Sequence, residues 1–197
     1  MTGQNIVIVG VGGQGVVLAS NLLAEAALAS GCDVKKTDTL GMAQRGGSVV
    51  SHLRYGRSVA SPLIPEGGAD ILIAFEKLEA ARWAHFIKPD GTVIVNDLAL
   101  PPLSVTLGAD TYPSDTEIAA MIRRYTPGLN VVNGTATAEG LGNAKMVNTV
   151  LLGYAARFID IDSRLLLSTI EAALPVKLRK ANVSAFEAGQ KLSPLTV

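Results

Sequence analysis

Short segments dominated by apolar residues recur along this chain, and each is bounded by glycine or polar residues. They cover residues 6–9, 69–75 and 91–96, with a shorter one at residues 130–132. Continuous apolar runs of this length are typical of strands that are covered on both faces in a parallel sheet. The pattern therefore predicts four buried strands, the first of them central.

Between these runs the apolar residues recur at helical spacing. Residues 16–30 are rich in Ala and Leu, and the pattern stops at Gly31, a natural residue to follow a helix. Ser114 and Glu117 have the spacing of a capping box. Helices are predicted at residues 16–30 and 76–86, after Ser114, at residues 146–159, after Asp162 or Ser163, and in the segment that follows Pro175.

Three weaker strands complete the picture, at residues 33–37, 49–55 and 59–64, and the last two could form a hairpin. The order of elements predicts an α/β fold with a doubly wound, mostly parallel sheet, helices on both faces and a hairpin insertion near residues 48–64. Residues 1–197 would form a single domain. The pattern does not specify the order of the strands.

Composition and charge argue against several classes of function. The chain has 197 residues, 48% of them hydrophobic, with 17 basic and 17 acidic residues and no long run of either charge. We expect no nucleic-acid partner. Apolar stretches are interrupted well before 18 residues and no basic leader precedes them, so we expect no membrane association and a cytoplasmic location. Cys32 is the single cysteine, so this chain alone cannot hold an iron–sulfur cluster of the usual four-thiolate kind.

A glycine-rich turn, Gly-x-Gly-x-x-Gly, falls directly between the first strand and the first helix. Backbone N–H groups at such a helix start can bind a phosphate or a carboxylate. Dinucleotide binding also needs an acidic residue about 20 positions further on, and Asp33 and Asp38 lie too early and too late. A dinucleotide, another anion and a purely structural turn all remain open. The candidate anion-binding residues are Gly10, Gly12, Gly13, Gln14 and Gly15.

A second glycine-rich segment follows the predicted second strand. A methionine offers a soft apolar contact, a glutamine and an arginine offer several donors, and paired glycines permit close approach of the backbone. We interpret it as a contact loop for a phosphate, a carboxylate or a partner surface, the alternative being an ordinary solvated connection. Its candidate residues are Gly41, Met42, Gln44, Arg45, Gly46, Gly47 and Ser48.

Few other residues suggest chemistry. Glu76 and Asn96 follow predicted strands at the edge where α/β clefts open, so both are candidates for the edge of a cleft. Glu79 and Arg82 have the spacing of a surface ion pair. No metal-ligand spacing accompanies either histidine, and Gly-x-Ser-x-Gly is absent. We therefore expect structural roles for His52 and His85, and neither a catalytic residue nor a metal ligand is predicted.

Four motifs together resemble the gamma-type subunit of 2-oxoacid:ferredoxin oxidoreductases, and within that family the beta subunit of the indolepyruvate enzymes. The resemblance covers nearly the whole chain. The motifs are Gly-Val-Gly-Gly-Gln-Gly at residues 10–15, Met-Ala-Gln-Arg-Gly-Gly-Ser at residues 42–48, Phe-Glu-Lys-Leu-Glu-Ala at residues 75–80 and Asn-Val-Ser-Ala-Phe-Glu-Ala-Gly at residues 182–189.

The resemblance implies a subunit without cofactors of its own that packs on a larger subunit and helps to shape the approach of coenzyme A. The glycine turn at residues 10–15 would then bind coenzyme A, and the loop at residues 41–48 would contact coenzyme A or the partner. That partner would carry thiamine diphosphate, Mg²⁺ and 4Fe–4S clusters, and the complex would reduce ferredoxin and release an acyl-CoA. The substrate would be indolepyruvate or another aryl pyruvate, with pyruvate, 2-oxoglutarate and 2-oxoisovalerate as alternatives. Homodimer contacts are also possible. An NAD(P)-binding Rossmann oxidoreductase and a small regulatory nucleotide-binding module remain the rival classes.

Overall fold

The computed structural model describes residues 3–40 and 46–196, which form a six-stranded sheet with helices on both faces. The strands lie in the order β2-β3-β1-β4-β5-β6. Their bounds are β1 Gln4–Val11, β2 Asp33–Leu40, β3 Ser48–Gly56, β4 Ala69–Ala74, β5 Ile87–Asn96 and β6 Gly128–Val132. The helices are α1 Val16–Ala29, α2 Lys77–Trp83, α3 Leu103–Thr106, α4 Asp115–Arg123, α5 Gly134–Gly140, α6 Val147–Ala155, α7 Ser163–Ala173 and α8 Val176–Lys191.

The predicted fold class is confirmed. Strands β1, β4, β5 and β6 are parallel neighbours, whereas β3 runs antiparallel to both β1 and β2. Helix α1 covers one face together with α6, α7 and α8, and α2 and α4 cover the other. Both faces of the central strands are apolar for this reason: Ile6 and Ile8 belong to one core, and Val7 and Val9 to the other.

The predicted hairpin has a different partner strand. β3 pairs with β2, and residues 59–64 do not form a strand. Pro62 and Pro65 lack the N–H groups that a ladder requires. The segment is held instead by Arg54, whose guanidinium donates to the carbonyl oxygens of Ser61 at 3.1 Å and Leu63 at 3.2 Å.

The structure confirms two helix starts that the sequence predicts, at Ser114 and at Asp162. The capping box forms, because the Ser114 hydroxyl accepts from the Glu117 N–H while the Glu117 carboxylate accepts from the Ser114 N–H. Asp162 caps α7. The helix predicted at residues 146–159 is shorter in the structure, because α6 ends at Ala155. Helices α3 and α5 were not predicted from the sequence. In the described part of the chain, no helix is both long and apolar enough to cross a membrane.

The last sequence motif is a helix contact. A side chain at Gly153 would stand against the Phe186 carbonyl, and one at Gly189 against the Val150 carbonyl. Both glycines therefore let α6 and α8 touch along their backbones, with Phe186 fully buried between them. This close contact positions Asn182, which opens the motif, against α6.

Candidate functional site

The carboxyl edge of the sheet contains a topological switch point between β1 and β4. From β1 the chain passes through α1 to β2 on one side, and from β4 it passes through α2 to β5 on the other. Ligand crevices of open α/β sheets lie at such points, outside the carboxyl ends of the strands. The two helices that begin there, α1 and α2, therefore flank the candidate site.

The glycine-rich turn connects β1 to α1 and packs tightly. A Cβ atom at Gly10 would lie 2.7 Å from Gln14 Oε1 and 2.9 Å from Phe75 Cβ, so only glycine fits there. Gly13 and Gly15 have φ angles of 104° and 88°, in the region that favours glycine. The turn thus has a structural requirement for glycine at three positions, whatever it binds.

Gln14 fastens this turn to the neighbouring strand. Its side-chain oxygen accepts from the Val11 N–H at 2.7 Å, and its amide nitrogen donates to the Phe75 carbonyl at 3.3 Å. Both ends of the amide are therefore used within the protein. Gln14 shapes the site, and its side chain is engaged rather than offered to a ligand.

Among the described residues, the first backbone donors of α1 have no acceptor. The N-cap residue is Gly15, which has no side chain to accept from the first turn, and the first turn contains no acidic residue. The first hydrogen bond within the helix runs from the Ala19 N–H to the Gly15 carbonyl at 2.9 Å. The N–H groups of Val16, Val17 and Leu18 therefore have no acceptor within the helix. The helix dipole adds partial positive charge, so this end can hold an anion.

The second glycine-rich segment meets the first. Gly41, Met42, Gln44 and Arg45 lie outside the described residues. Of the remaining three, Gly47 accepts from the Gly12 N–H at 2.8 Å, Gly46 has a φ of 81°, and Ser48 stands opposite Val11 in the β1–β3 ladder. The antiparallel course of β3 thus places its start beside the end of β1. This edge of the sheet brings together eight of the candidate site residues from the two glycine-rich segments: Gly10, Gly12, Gly13, Gln14, Gly15, Gly46, Gly47 and Ser48.

Glu79 lies beneath that junction and is 2% exposed. Its carboxylate accepts from the Ser48 hydroxyl at 2.5 Å, from the Trp83 indole N–H at 3.3 Å and from the Arg82 guanidinium at 2.5 Å. The predicted Glu79–Arg82 pair therefore forms, but its carboxylate is buried. Helical spacing alone could not show that α2 presents this carboxylate to the start of β3.

Glu76 closes the start of α2. One carboxylate oxygen accepts from the Glu79 N–H at 2.8 Å, and the other accepts from the Leu100 N–H at 3.0 Å and from the Tyr112 hydroxyl. Glu76 is 1% exposed. Burial raises the pKa of the Tyr112 phenol, and its hydrogen bond to the Glu76 carboxylate raises it further. Tyr112 therefore stays a neutral donor to this carboxylate.

A cleft of about 630 Å³ lies between these parts. Val11, Gly12 and Gly46 form one wall, and Glu76 and Glu79 line it from below. The opposite wall is mostly apolar and consists of Leu100, Pro101, Pro102, Leu103 and Thr106. Glu76 is among the residues that line this cleft, and both of its carboxylate oxygens are engaged with protein donors.

Asn96 joins elements beneath the edge. Its amide nitrogen donates to the Phe75 carbonyl at 3.0 Å and to the Thr135 hydroxyl at 2.8 Å, and its oxygen accepts from the Thr135 N–H at 2.9 Å. Asn96 is 1% exposed. The contacts tie β5 to the end of β4 and to the start of α5, where Gly134 leaves room for the amide oxygen.

The two histidines lie in protein contacts. His52 is buried and accepts through Nδ1 from the Ile64 N–H at 3.3 Å, and burial lowers its pKa. His85 Nδ1 lies 3.0 Å from the Arg82 carbonyl oxygen. Across residues 3–40 and 46–196, no group of three or more His, Cys, Asp or Glu could hold a metal ion.

Sequence reasoning missed a polar cluster on the other side of α1. Asn148, Thr149 and Asn182 are 5%, 1% and 8% exposed. They line a groove of about 410 Å³ that reaches the first turn of α1 at Leu18. Asn182 belongs to the last sequence motif, but nothing in the pattern indicated that it would meet α6.

Comparison with known proteins gives a consistent family. A family model described as pyruvate ferredoxin/flavodoxin oxidoreductase matches residues 5–192. A protein of Archaeoglobus fulgidus named indolepyruvate oxidoreductase subunit IorB is 47% identical over 149 residues, 76% of this chain and 74% of that protein. The protein of the same name from Thermococcus kodakarensis is 36% identical over 194 residues, 97% of this chain and 96% of that protein.

Two solved structures have the same fold. The gamma subunit of a keto/oxoacid ferredoxin oxidoreductase from Geobacter sulfurreducens matches with a TM-score of 0.71 at 20% identity, covering 96% of this chain and 95% of that chain. The 2-oxoglutarate:ferredoxin oxidoreductase of Magnetococcus marinus, solved with 2-oxoglutarate, coenzyme A and succinyl-CoA bound, matches with a TM-score of 0.74 at 19% identity. The match covers 96% of this chain but 31% of that longer chain.

Proposed function

We propose a function from the premise that this chain belongs to the pyruvate ferredoxin/flavodoxin oxidoreductase family, as a gamma-type or IorB-type subunit of a 2-oxoacid ferredoxin oxidoreductase. The substrate that we propose is indolepyruvate or another aryl pyruvate. In the overall reaction the 2-oxoacid loses CO₂, two electrons pass to ferredoxin, and the acyl group leaves as a thioester of coenzyme A. The observation that carries the choice of substrate is the similarity to IorB proteins over nearly the full chain.

The cofactors belong to a partner subunit in this proposal. Thiamine diphosphate, Mg²⁺ and 4Fe–4S clusters would supply the decarboxylation and the electron transfer there. This chain does not fit a cluster, since Cys32 is its single cysteine. The residues that it contributes would bind and orient coenzyme A and contact the partner.

Coenzyme A would reach the carboxyl edge of the sheet. The open N–H groups at the start of α1 suit one of its phosphates, and Gly12, Gly13 and Gly15 allow a close approach. We propose the loop from Gly41 to Ser48 as the neighbouring contact with the partner or with coenzyme A. Its described end is bonded to Gly12, which supports a shared surface.

The dinucleotide alternative receives less support from the sheet. In a Rossmann fold the second strand lies beside the first, and its acidic residue binds the ribose next to the glycine turn. Here β3 lies between β1 and β2. Asp38 pairs with Lys36 and accepts from the Ser51 hydroxyl at 2.6 Å, while Asp33 pairs with Lys35. Neither carboxylate is free beside the turn.

Reconstitution tests the proposal. We would combine this chain with a thiamine-bearing partner subunit of such an enzyme and measure ferredoxin reduction with indolepyruvate, pyruvate, 2-oxoglutarate and 2-oxoisovalerate. We expect the complex to prefer indolepyruvate and to require coenzyme A, and the isolated chain to be inactive. Preference for another 2-oxoacid would overturn the proposed substrate, and turnover by the isolated chain would overturn the assignment of the cofactors to the partner.

A further inference from the structure

A buried asparagine amide lies beside the open start of α1. Asn148 is the second residue of α6, and its Nδ2 atom lies 3.2 Å from the position that a Cβ atom of Gly15 would occupy. The side chain is 5% exposed. The amide therefore lies beside the first turn of α1, where the N–H groups of Val16, Val17 and Leu18 have no acceptor among the described residues.

The orientation of this amide is determined by the rest of the protein. Its oxygen accepts from the Thr149 N–H at 2.8 Å, which directs the nitrogen toward Gly15. The Thr149 hydroxyl donates to Asn182 Oδ1 at 2.7 Å, and Asn182 Nδ2 donates to the Leu178 carbonyl at 3.0 Å. The backbone contact between α6 and α8 keeps these partners in place.

The side-chain nitrogen of Asn148 has no acceptor among the described residues. Within residues 3–40 and 46–196, the hydrogen bonds of this side chain all involve its oxygen. Every fully buried side-chain nitrogen or oxygen in that part of the chain has a partner, so Nδ2 is not fully buried, and Asn148 is one of the residues that line the groove. An amide donor that is held in place and left unpaired beside a helix start is suited to an anion.

The groove extends away from this point and adds two further features. Lys145 is exposed on its rim, and within the described part of the chain it forms no ion pair. Its remaining lining is largely apolar, with Leu18, Leu141 and Leu178 each about 40% exposed. The groove therefore offers a cation and an apolar surface next to the amide donors. Its apolar residues are Leu18, Leu22, Leu141, Met146, Leu174, Leu178 and Ala181.

We propose that Asn148, Lys145 and the first turn of α1 form a phosphate-binding subsite, with the apolar part of the same ligand lying in the groove between α1 and α8. The class of ligand is a phosphate ester that carries an apolar or aromatic group, the class to which coenzyme A belongs. The subsite rests on the proposed function for the identity of that ligand. It extends the site to residues on α6 and assigns a role to Asn182 in orienting Asn148.

The test uses the full chain, labelled with ¹⁵N and titrated with inorganic phosphate. We expect saturable shifts of the Val17 and Leu18 amide signals and of the Asn148 side-chain amide. Saturation at these signals supports the subsite, and its absence, or shifts confined to other parts of the chain, overturns it. Adenosine 3′,5′-bisphosphate and 4′-phosphopantetheine then show which end of such a ligand binds more tightly than phosphate alone; equal affinity of all three overturns the apolar part of the proposal.

Two variants supply the controls. Asn148→Asp keeps the acceptor for Thr149 but replaces the donor by a carboxylate, and we expect it to weaken phosphate binding about tenfold or more. Asn130→Asp makes the same change on β6, where the side chain accepts from the Tyr154 hydroxyl at 3.1 Å, and should bind phosphate like the unmodified chain. Equal affinities of the two variants would overturn the role of Asn148.

The exposed Lys145 gives a second variant that does not depend on the core. Lys145→Ala should fold normally and bind phosphate several-fold more weakly, and unchanged binding would remove Lys145 from the subsite. Failure of the subsite can be distinguished from failure of the proposed function. A reconstituted complex that turns over indolepyruvate while the Asn148 variant binds phosphate normally would refute the subsite alone.

Discussion

Two helices begin side by side at the same edge of the sheet, and their first turns have opposite character. Helix α2 is capped by the Glu76 carboxylate and has Glu79 in its first turn. Helix α1 is capped by Gly15, with no side-chain acceptor and no acidic residue in its first turn. The same position in the topology therefore produces one end that is closed to anions and one that is open to them.

This difference makes the two sides of the switch point unequal in their preference for an anion. On the α2 side the Glu76 carboxylate already accepts from the first turn of the helix, whereas the N–H groups of α1 and the Asn148 amide are available to an anion. An anionic ligand at this edge is therefore directed toward α6 rather than toward the apolar cleft beside α2. That cleft, with Leu103 exposed on its wall, suits an apolar contact instead.

The largest effect should come from opening the start of α2. Glu76→Gln replaces an acceptor by an NH₂ donor among three protein donors, and it should lower the free energy of unfolding by about 2 to 4 kcal/mol. Urea denaturation measures this. Glu66→Gln is the matched control, because that side chain is 78% exposed, and should stay within about 0.5 kcal/mol. Similar losses in both variants would show that Glu76 does not hold the cleft wall.

Closing the start of α1 should produce a smaller loss of stability and a larger loss of binding. Gly15→Asp places a carboxylate at the N-cap, in a backbone conformation with a φ of 88°, and should cost about 1 to 2 kcal/mol in stability. Phosphate binding, followed by the ¹⁵N spectra, should weaken at least about tenfold, the factor that corresponds to about 1.4 kcal/mol.

The control for this variant lies just beyond the other end of the same helix. Gly31→Asp introduces the same charge at a φ of 84°, where a new Cβ atom has no neighbour within 4 Å. It carries similar backbone strain but should leave phosphate binding unchanged. If both variants bound phosphate equally well, the start of α1 would not be the anion site.

The smallest expected effect concerns the fluorescence of Trp83, which phosphate should leave unchanged. Trp83 is the only tryptophan in the sequence, and its indole donates to Glu79 on the α2 side at 3.3 Å. Its fluorescence should change in Glu79→Gln, which alters that hydrogen bond. Phosphate should shift the α1 amides of the unmodified chain without changing the Trp83 emission. An emission change that saturates together with the amide shifts would place the anion beside α2.

The sequence by itself determined the local features of this protein. Apolar runs, helical spacing, the Ser114 capping box and the glycine turn all follow from neighbouring residues, because period and capping are properties of a short segment. The fold class and the family motifs followed from the order of these segments. Even the open start of α1 could be predicted, because Gly15 has no side chain that could accept a hydrogen bond from the first turn.

Only the tertiary structure decided which of these segments meet. The insertion of β3 between β2 and β1 brings Ser48 beside the end of β1, and the packing of α2 buries Glu79 under it. The close contact of α6 with α8 sets the amide of Asn148 against Gly15. Sheet order and the directions of buried side chains depend on packing between segments that are distant in the chain. No local pattern contains that information, which is why the closed and open helix starts became visible only in the fold.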